Sequence, residues 1–144
     1  MNSPAQILLV DDNPADLELT RDVLANSARV GRVLSALDGD DALAVLRQEG
    51  KYAGAAPPGL IFLDLNLPGK DGRAVLAEIR KEPALRTIPV VIFTTSQAPQ
   101  DIEHSYQLGA NCFVSKPGNL HDFVDVVNLV EQFWLKVARL PHQG

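Results

Sequence analysis

The sequence has a single cysteine, Cys112, and no apolar run that approaches the roughly 20 residues of a membrane-spanning helix. A lone cysteine excludes an intrachain disulfide framework and suits a reducing compartment. The first six residues carry no basic charge, and the apolar run after them stops at Asp11, which does not match a signal peptide. We therefore expect a cytoplasmic protein that does not enter a membrane.

An excess of positive charge is also absent. The chain has 18 acidic and 13 basic residues, for a net charge of -5. This balance argues against a nucleic-acid surface, which needs clustered lysine and arginine. The composition, 46% apolar and 22% charged, is typical of a globular protein. We predict one domain over residues 1–144, with a core at about 6–138 and a short tail at 139–144.

Five apolar runs alternate with five amphipathic segments along the chain. Strands are predicted at 7–10, 30–36, 60–64, 88–93 and 112–114, and helices at 14–27, 42–46, 72–81, 99–109 and 119–138. The second strand contains arginine and is placed at an edge, and residues 50–59 form an unusually long loop. Apolar strands with crossover helices predict an α/β fold, a (βα)5 doubly wound parallel sheet of five strands.

Polar residues follow four of the five predicted strands. In chain order they are Asp11 and Asp12, Asp64, Thr94, and Lys116. Because the carboxyl ends of parallel strands meet at one edge of a sheet, we expect these side chains to converge. Carboxylates at close range repel each other strongly, so a cation has to join them. Lys116 supplies one positive charge, and oxygen-only ligands predict Mg²⁺ rather than zinc or iron.

This group of residues suits phosphoryl transfer. Asp64 can act as a nucleophile toward phosphorus and form an aspartyl-phosphate. Mg²⁺ would neutralise the charge of one phosphoryl oxygen, Lys116 would bind a second, and the Thr94 hydroxyl would bind a third. Taken singly, the residues have plainer interpretations: the acids after the first strand could cap a helix, and Lys116 could lie in a turn. Their combination favours phosphoryl transfer.

Four motifs carry a resemblance to a known family: residues 9–13 (LVDDN), 64–72 (DLNLPGKDG), 89–94 (PVVIFT) and the pair Lys116-Pro117. The chain resembles the receiver domain of bacterial two-component response regulators, and the match covers nearly all of it. The resemblance implies a flavodoxin-like receiver fold and a phosphoacceptor role for Asp64, supplied by a histidine kinase. Because we predict a single module and no output domain within these residues, we expect the message to pass by protein contact or by phosphorelay. We expect no enzyme activity beyond Mg²⁺-dependent self-phosphorylation and slow dephosphorylation.

The resemblance also assigns roles at the site. It implies that Asp12 and Asp64 bind Mg²⁺ directly, Asp11 through water, and Asn66 through its main-chain carbonyl. It implies a cis peptide bond at Lys116-Pro117 that would direct the lysine into the site.

A conformational switch is implied too. Thr94 would move toward the phosphoryl group, and Phe113 would swing inward. Phe113 could equally be a fixed core aromatic. Ser96 and Asn66 lie at positions expected to set the lifetime of the phosphorylated state.

More narrowly, the chain looks like the single-domain regulators that partner phytochrome-type histidine kinases. The matching features are the 64–72 motif, the long loop before it and the terminal segment 133–141. The loop insertion at 50–59 and Gly118, which follows Lys116-Pro117, depart from the wider family. The first could alter kinase docking, and the second loosens the turn.

The last predicted helix ends in bulky apolar residues: Phe133, Trp134, Leu135 and Val137. An exposed group of this kind typically marks a protein interface, so we predict a two-fold homodimer through this helix. The alternative is that these side chains fold back onto the core.

Three other functions compete with this interpretation. A phosphatase with an aspartyl nucleophile needs a second aspartate two residues later, where this chain has Asn66. A flavin-binding module needs a phosphate-binding loop after the first strand, where Asp11 and Asp12 would repel phosphate. A pseudo-receiver, which binds partners without phosphorylation, is opposed by the complete set of site residues.

Overall fold

The computed structural model describes residues 4–54 and 57–141, and these contain one sheet of five strands. The strands are β1 (Ala5–Val10), β2 (Val30–Ala36), β3 (Leu60–Leu63), β4 (Val90–Thr94) and β5 (Cys112–Ser115). They are parallel and lie in the order β2-β1-β3-β4-β5. The predicted (βα)5 architecture is confirmed, and β2 lies at an edge as expected.

Helices cover both faces of the sheet. They are α1 (Pro14–Ala25), α2 (Gly39–Leu46), α3 (Gly72–Lys81), α4 (Pro99–Gln107) and α5 (Leu120–Gln132). Apolar residues of α2 and α3 pack with one face of the sheet, and those of α1 and α5 pack with the other. Side chains that follow the strands begin several helices; for example, the Asn13 carboxamide oxygen accepts bonds from the N–H groups of Ala15 and Asp16.

The carboxyl ends of the strands are held in register by main-chain bonds. Asp64 N–H donates to the Val10 carbonyl at 2.9 Å, and Lys116 N–H donates to the Thr94 carbonyl at 2.7 Å. These bonds pair the end of β3 with that of β1 and the end of β5 with that of β4, at one edge of the sheet.

The opposite end of the sheet is organised by one arginine. Arg80 of α3 donates hydrogen bonds to the carbonyls of Arg86, Ile88 and Gly109 and to the Asn111 side chain, all at 2.8–3.0 Å. The same Asn111 oxygen accepts the N–H of Val90, the first residue of β4. One guanidinium thus connects the segments that lead into β4 and β5.

The end of the chain differs from the predicted uninterrupted helix to residue 138. After α5 a wider, π-helical turn runs over Phe133–Val137, closed by a bond from the Ala138 N–H to the Phe133 carbonyl. This turn allows the neighbours Trp134 and Leu135 both to pack against the core. Leu140, beyond the predicted core boundary, is also buried.

The loop over residues 50–59 contains a short 3-10 turn at Gly50–Tyr52, and Ala55 and Ala56 lie outside the described residues. Within the described ranges, no helix combines the length and the apolarity that crossing a membrane requires.

Candidate functional site

The polar residues that follow the strands converge at the carboxyl edge, as the sequence predicts. Their hub is Lys116, whose side chain is only 3% exposed. Its ammonium donates to Asp11 Oδ2 at 2.5 Å, to Asp16 Oδ2 at 2.9 Å and to Asp64 Oδ2 at 3.1 Å. An ammonium has three donors, and all three are used here. The ammonium of the residue that follows β5 therefore joins the acids that follow β1 and β3 to an acid of α1.

The charges in this group do not balance. Burial opposes the charge of Lys116, but its bonds to Asp11 and Asp16 and the charge of Asp64 outweigh burial and raise its pKa above the ordinary value. Burial also raises the pKa of Asp11, because the bonds from Lys116 and from the Asn13 N–H do not fully replace lost water. One ammonium is thus too little positive charge for the acids around it.

The acids form a candidate site for a divalent cation. Carboxylate oxygens of Asp11, Asp12 and Asp64 lie within 4.8 Å of one another. Main-chain N–H groups orient two of them: Asn13 donates to Asp11 Oδ1 at 2.9 Å, and Asn66 donates to Asp64 Oδ1 at 3.1 Å. An all-oxygen donor set, open to solvent at Asp12 and short of positive charge, fits Mg²⁺.

Thr94 completes the edge with an unused hydroxyl. It is the last residue of β4 and is 0% exposed. Within residues 4–54 and 57–141, its Oγ1 is the sole buried side-chain polar atom that lacks a hydrogen-bond partner. Such a group is unfavourable by about 1–3 kcal/mol, so Thr94 favours the arrival of an acceptor oxygen at this edge.

The segment after Thr94 is tied to α3 by a polar network. Ser96 Oγ donates to Asp101 Oδ2 at 2.6 Å, and Arg73 donates to Asp101 Oδ1 at 2.7 Å. Ser115 Oγ donates to the Ser96 carbonyl at 2.9 Å, which adds β5 to the network. The Ser96 hydroxyl is therefore engaged with α4 in this conformation.

Phe113 is half-buried on β5 and packs at the margin of the core. Its N–H donates to the Tyr106 hydroxyl at 3.1 Å. The side chain thus lies between core and solvent, next to an exposed aromatic of α4.

Two features of the site differ from the sequence analysis. The Lys116–Pro117 peptide bond is trans, not cis as expected. Trans is the ordinary isomer, and Lys116 reaches its acids from it. Asp16 was missed, because in the sequence it appears only as an acid in the first turn of a helix, where acids are common.

The raised pKa of Asp11 leads to a prediction for the metal-free protein. A carboxyl whose pKa rises on folding adds stability below its unfolded pKa, 3.8, and this contribution is lost as pH increases through the raised value. Asp11→Asn removes the penalty, so we expect it to stabilise the protein in EDTA at pH 7 and to raise its melting temperature.

Denaturant unfolding at pH 7 and at pH 4.5 would measure this effect, and the gain should shrink at the lower pH. Asp22→Asn, an exposed acid of α1, is the matched control. A destabilised Asp11→Asn protein at pH 7 would show that the bond to Lys116 outweighs burial.

The sequence matches a known protein family over most of its length. The family model of the response regulator receiver domain matches residues 7–128. The chain belongs to this family. Response regulator Rcp1 of Synechocystis sp. is 46% identical over 140 residues, which span 97% of this chain and 95% of Rcp1.

Solved receiver structures agree with this assignment. The phosphorylated cyanobacterial phytochrome response regulator RcpA superposes with a TM-score of 0.93 at 50% identity, over 96% of this chain and 99% of RcpA. The Mn²⁺-bound form of Rcp1 superposes with a TM-score of 0.91 at 46% identity, over the same shares. The fold is therefore the flavodoxin-like receiver fold, and the chain is a response regulator of two-component signalling, whose partner is a histidine kinase. Mg²⁺ is the cofactor of such receiver domains.

Proposed function

We propose that this receiver domain accepts a phosphoryl group on Asp64 from a histidine kinase, with Mg²⁺ held by Asp11, Asp12, Asp64 and the Asn66 carbonyl. The observation that carries the proposal is the convergence of three carboxylates within 4.8 Å of one another, with Lys116 bonded to Asp64. Carboxylates and one lysine in this arrangement provide both a nucleophile and the charges that phosphoryl transfer requires.

Each residue has a defined part in the transfer. An Asp64 carboxylate oxygen attacks phosphorus, the P–N bond of a phosphohistidine breaks, and its electron pair returns to the imidazole. Lys116, now on Asp64 Oδ2, would bind a phosphoryl oxygen. The Mg²⁺ ion supplies charge neutralisation for the other phosphoryl oxygens when bound. Thr94 Oγ1 would donate the hydrogen bond that it does not make in this structure.

We also propose that phosphorylation moves Thr94 and Phe113 together as a conformational switch. Once Thr94 turns toward a phosphoryl oxygen, the space beside it would admit Phe113, whose half-buried ring already borders the core. We assign the lifetime of the phosphorylated state to Ser96 and Asn66, which lie at the positions that the family resemblance associates with dephosphorylation. The Ser96–Asp101 bond would then affect that lifetime.

Intact-mass measurement after incubation with acetyl phosphate and Mg²⁺ tests the proposal. Wild-type protein should gain the mass of one phosphoryl group, and Asp64→Asn should gain none. EDTA should prevent the gain. An unchanged wild-type mass would favour the alternative, a pseudo-receiver that binds partners without phosphorylation.

The similarity to phytochrome response regulators bears on the partner. RcpA and Rcp1 match nearly the whole chain at 46–50% identity, so we propose a phytochrome-type histidine kinase as the phosphoryl donor. We further propose a cytoplasmic single receiver domain over residues 1–144 that is no enzyme toward other substrates and acts through protein contacts or phosphorelay.

We also propose a homodimer through the last helix. Leu129, Phe133 and Val137, spaced four residues apart, are 63%, 52% and 71% exposed and line one side of α5 and the turn after it. Trp134 and Leu135 instead pack partly against the core. Phe133 remains connected to them through edge-to-face contact with Trp134, at 5.2 Å between ring centres. Leu129 therefore joins the predicted interface, and Trp134 and Leu135 support it from beneath.

Phe133→Asp should convert the dimer to a monomer. A carboxylate within an apolar contact loses water without gaining a polar partner, and two-fold symmetry introduces two such charges, which weakens association by at least about 100-fold. Sedimentation at high micromolar protein concentration would measure the change. Leu120→Asp, at the start of α5 and also exposed (66%, compared with 52% for Phe133), is the control and should remain dimeric. A monomeric wild type, with and without phosphorylation, would contradict the interface.

A further inference from the structure

Asp16 is the acid of the site that sequence analysis did not identify. It lies in the first turn of α1, where the Asn13 side chain accepts a bond from its N–H. Its carboxylate receives one of the three hydrogen bonds of the Lys116 ammonium, at 2.9 Å. Its side chain is 25% exposed, compared with 10% for Asp11 and 9% for Asp64. Asp16 therefore contacts Lys116 from the solvent side.

The three acids bonded to Lys116 differ in one respect. Asp11 and Asp64 also belong, with Asp12, to the carboxylate group that could hold a divalent cation, and Asp16 does not. A cation bound there would compete with Lys116 for Asp11 and Asp64 and would repel its ammonium. The bond to Asp16 is the one that such competition leaves intact.

We propose that Asp16 is a positioning residue that holds the Lys116 ammonium at the site while Asp11 and Asp64 bind Mg²⁺. This inference rests on the proposed function. With its charge, Asp16 offsets the repulsion between lysine and metal. Without it, Lys116 depends on Asp11 and Asp64 alone and competes more strongly with the metal for them.

The Phe93 ring lies beside the Lys116 ammonium and offers it no carboxylate on that side. The ammonium lies 5.8 Å from the centre of the Phe93 ring, on the core side of the site. Of the three acids that Lys116 contacts in this structure, only Asp16 of α1 remains for an ammonium that has been displaced from Asp11 and Asp64.

Calorimetric titration with Mg²⁺ at constant ionic strength tests the inference. Asp16→Asn keeps an acceptor for Lys116 but removes the charge, and we expect its Mg²⁺ dissociation constant to be about 3- to 10-fold higher than that of wild type. Asp16→Glu restores the charge and should lie within about twofold of wild type. Asp22→Asn removes the same charge from an exposed position of the same helix and should bind Mg²⁺ as wild type does.

Thermal unfolding separates positioning from a purely structural role. An acid in the first turn of a helix stabilises it whether or not metal is present, so its loss would lower the melting temperatures in EDTA and in Mg²⁺ equally. If Asp16 positions Lys116, Asp16→Asn should instead reduce the rise in melting temperature that Mg²⁺ produces.

The possible failures are distinct. Equal Mg²⁺ affinity of wild type and Asp16→Asn, with wild type phosphorylated on Asp64, would overturn the role of Asp16 and leave the proposed function in place. A wild type that neither binds Mg²⁺ nor accepts phosphate would overturn both.

Discussion

Lys116→Met is expected to reduce phosphorylation of Asp64 by acetyl phosphate by about 10²- to 10³-fold, the usual effect of removing one preorganised charge from a reacting centre. The same change should destabilise the protein in EDTA at pH 7 by about 3–5 kcal/mol, because Asp11 and Asp64 would remain buried without their cation. Methionine retains much of the volume of the lysine stem, so lost packing contributes little.

Intact-mass time courses and denaturant unfolding would measure the two effects. Mg²⁺ should recover part of the lost stability, since it supplies positive charge to the same acids. Lys81→Met removes an equal charge from the exposed end of α3 and should change neither quantity appreciably. Wild-type stability in Lys116→Met, measured in EDTA, would mean that the acids of the site are not ionised together.

The pH range of this contribution follows from the pKa of Lys116. Its folded pKa is raised above the ordinary value of 10.5. The stability that it contributes is therefore fully present below pH 10.5 and is lost as pH rises through the raised value. Neutral and mildly alkaline buffers should give the same difference between Lys116→Met and wild type, apart from the titration of other groups.

Gly72→Ala is expected to be the most damaging single-methyl change near the site. A Cβ on Gly72 would lie 2.1 Å from the Asp64 carbonyl oxygen and 2.8 Å from Leu65 Cα, and neither backbone atom can rotate away. We expect a loss of about 3 kcal/mol in stability, or roughly 6–12 °C in melting temperature. Phosphorylation should slow by about 100-fold, because the backbone that carries Asp64 has to shift.

Gly118→Ala is the matched control for this prediction. A Cβ there meets no atom within 4 Å, and its φ is not in the left-handed region. We expect stability within about 0.5 kcal/mol of wild type and unchanged phosphorylation, measured in the same assays. If Gly72→Ala behaved like Gly118→Ala, the turn after Asp64 would have to be more adaptable than its contacts indicate.

The fold was largely predictable because four of the five strands are short apolar runs that lead into a polar residue, and this pattern is local. The same pattern predicted that Asp11, Asp64, Thr94 and Lys116 would meet, since parallel strands end at a common edge. The edge position of β2 was also predictable, from Arg29 just before the strand and Arg32 within it. Such conclusions need only the sequence and the geometry of a parallel sheet.

Contacts between distant elements were not predictable in this way. The bond from Lys116 to Asp16 depends on how α1 rotates and tilts against the sheet, which tertiary packing decides. The Arg73–Asp101 pair similarly depends on the distance between α3 and α4. The π-helical turn at Phe133–Val137 is a local departure that the apolar pattern of the last helix does not distinguish from a regular helix.

The hydrogen bonds of Arg80 have a mechanical consequence for the sheet. They fix the segments that enter β4 and β5, whereas Thr94 and Lys116 lie where these strands leave the sheet. The amino ends of β4 and β5 are thus held in place, and their carboxyl ends are joined by the bond from the Lys116 N–H to the Thr94 carbonyl. A displacement of Thr94 or of Lys116 should therefore move both carboxyl ends together and leave the ends bonded to Arg80 almost unchanged.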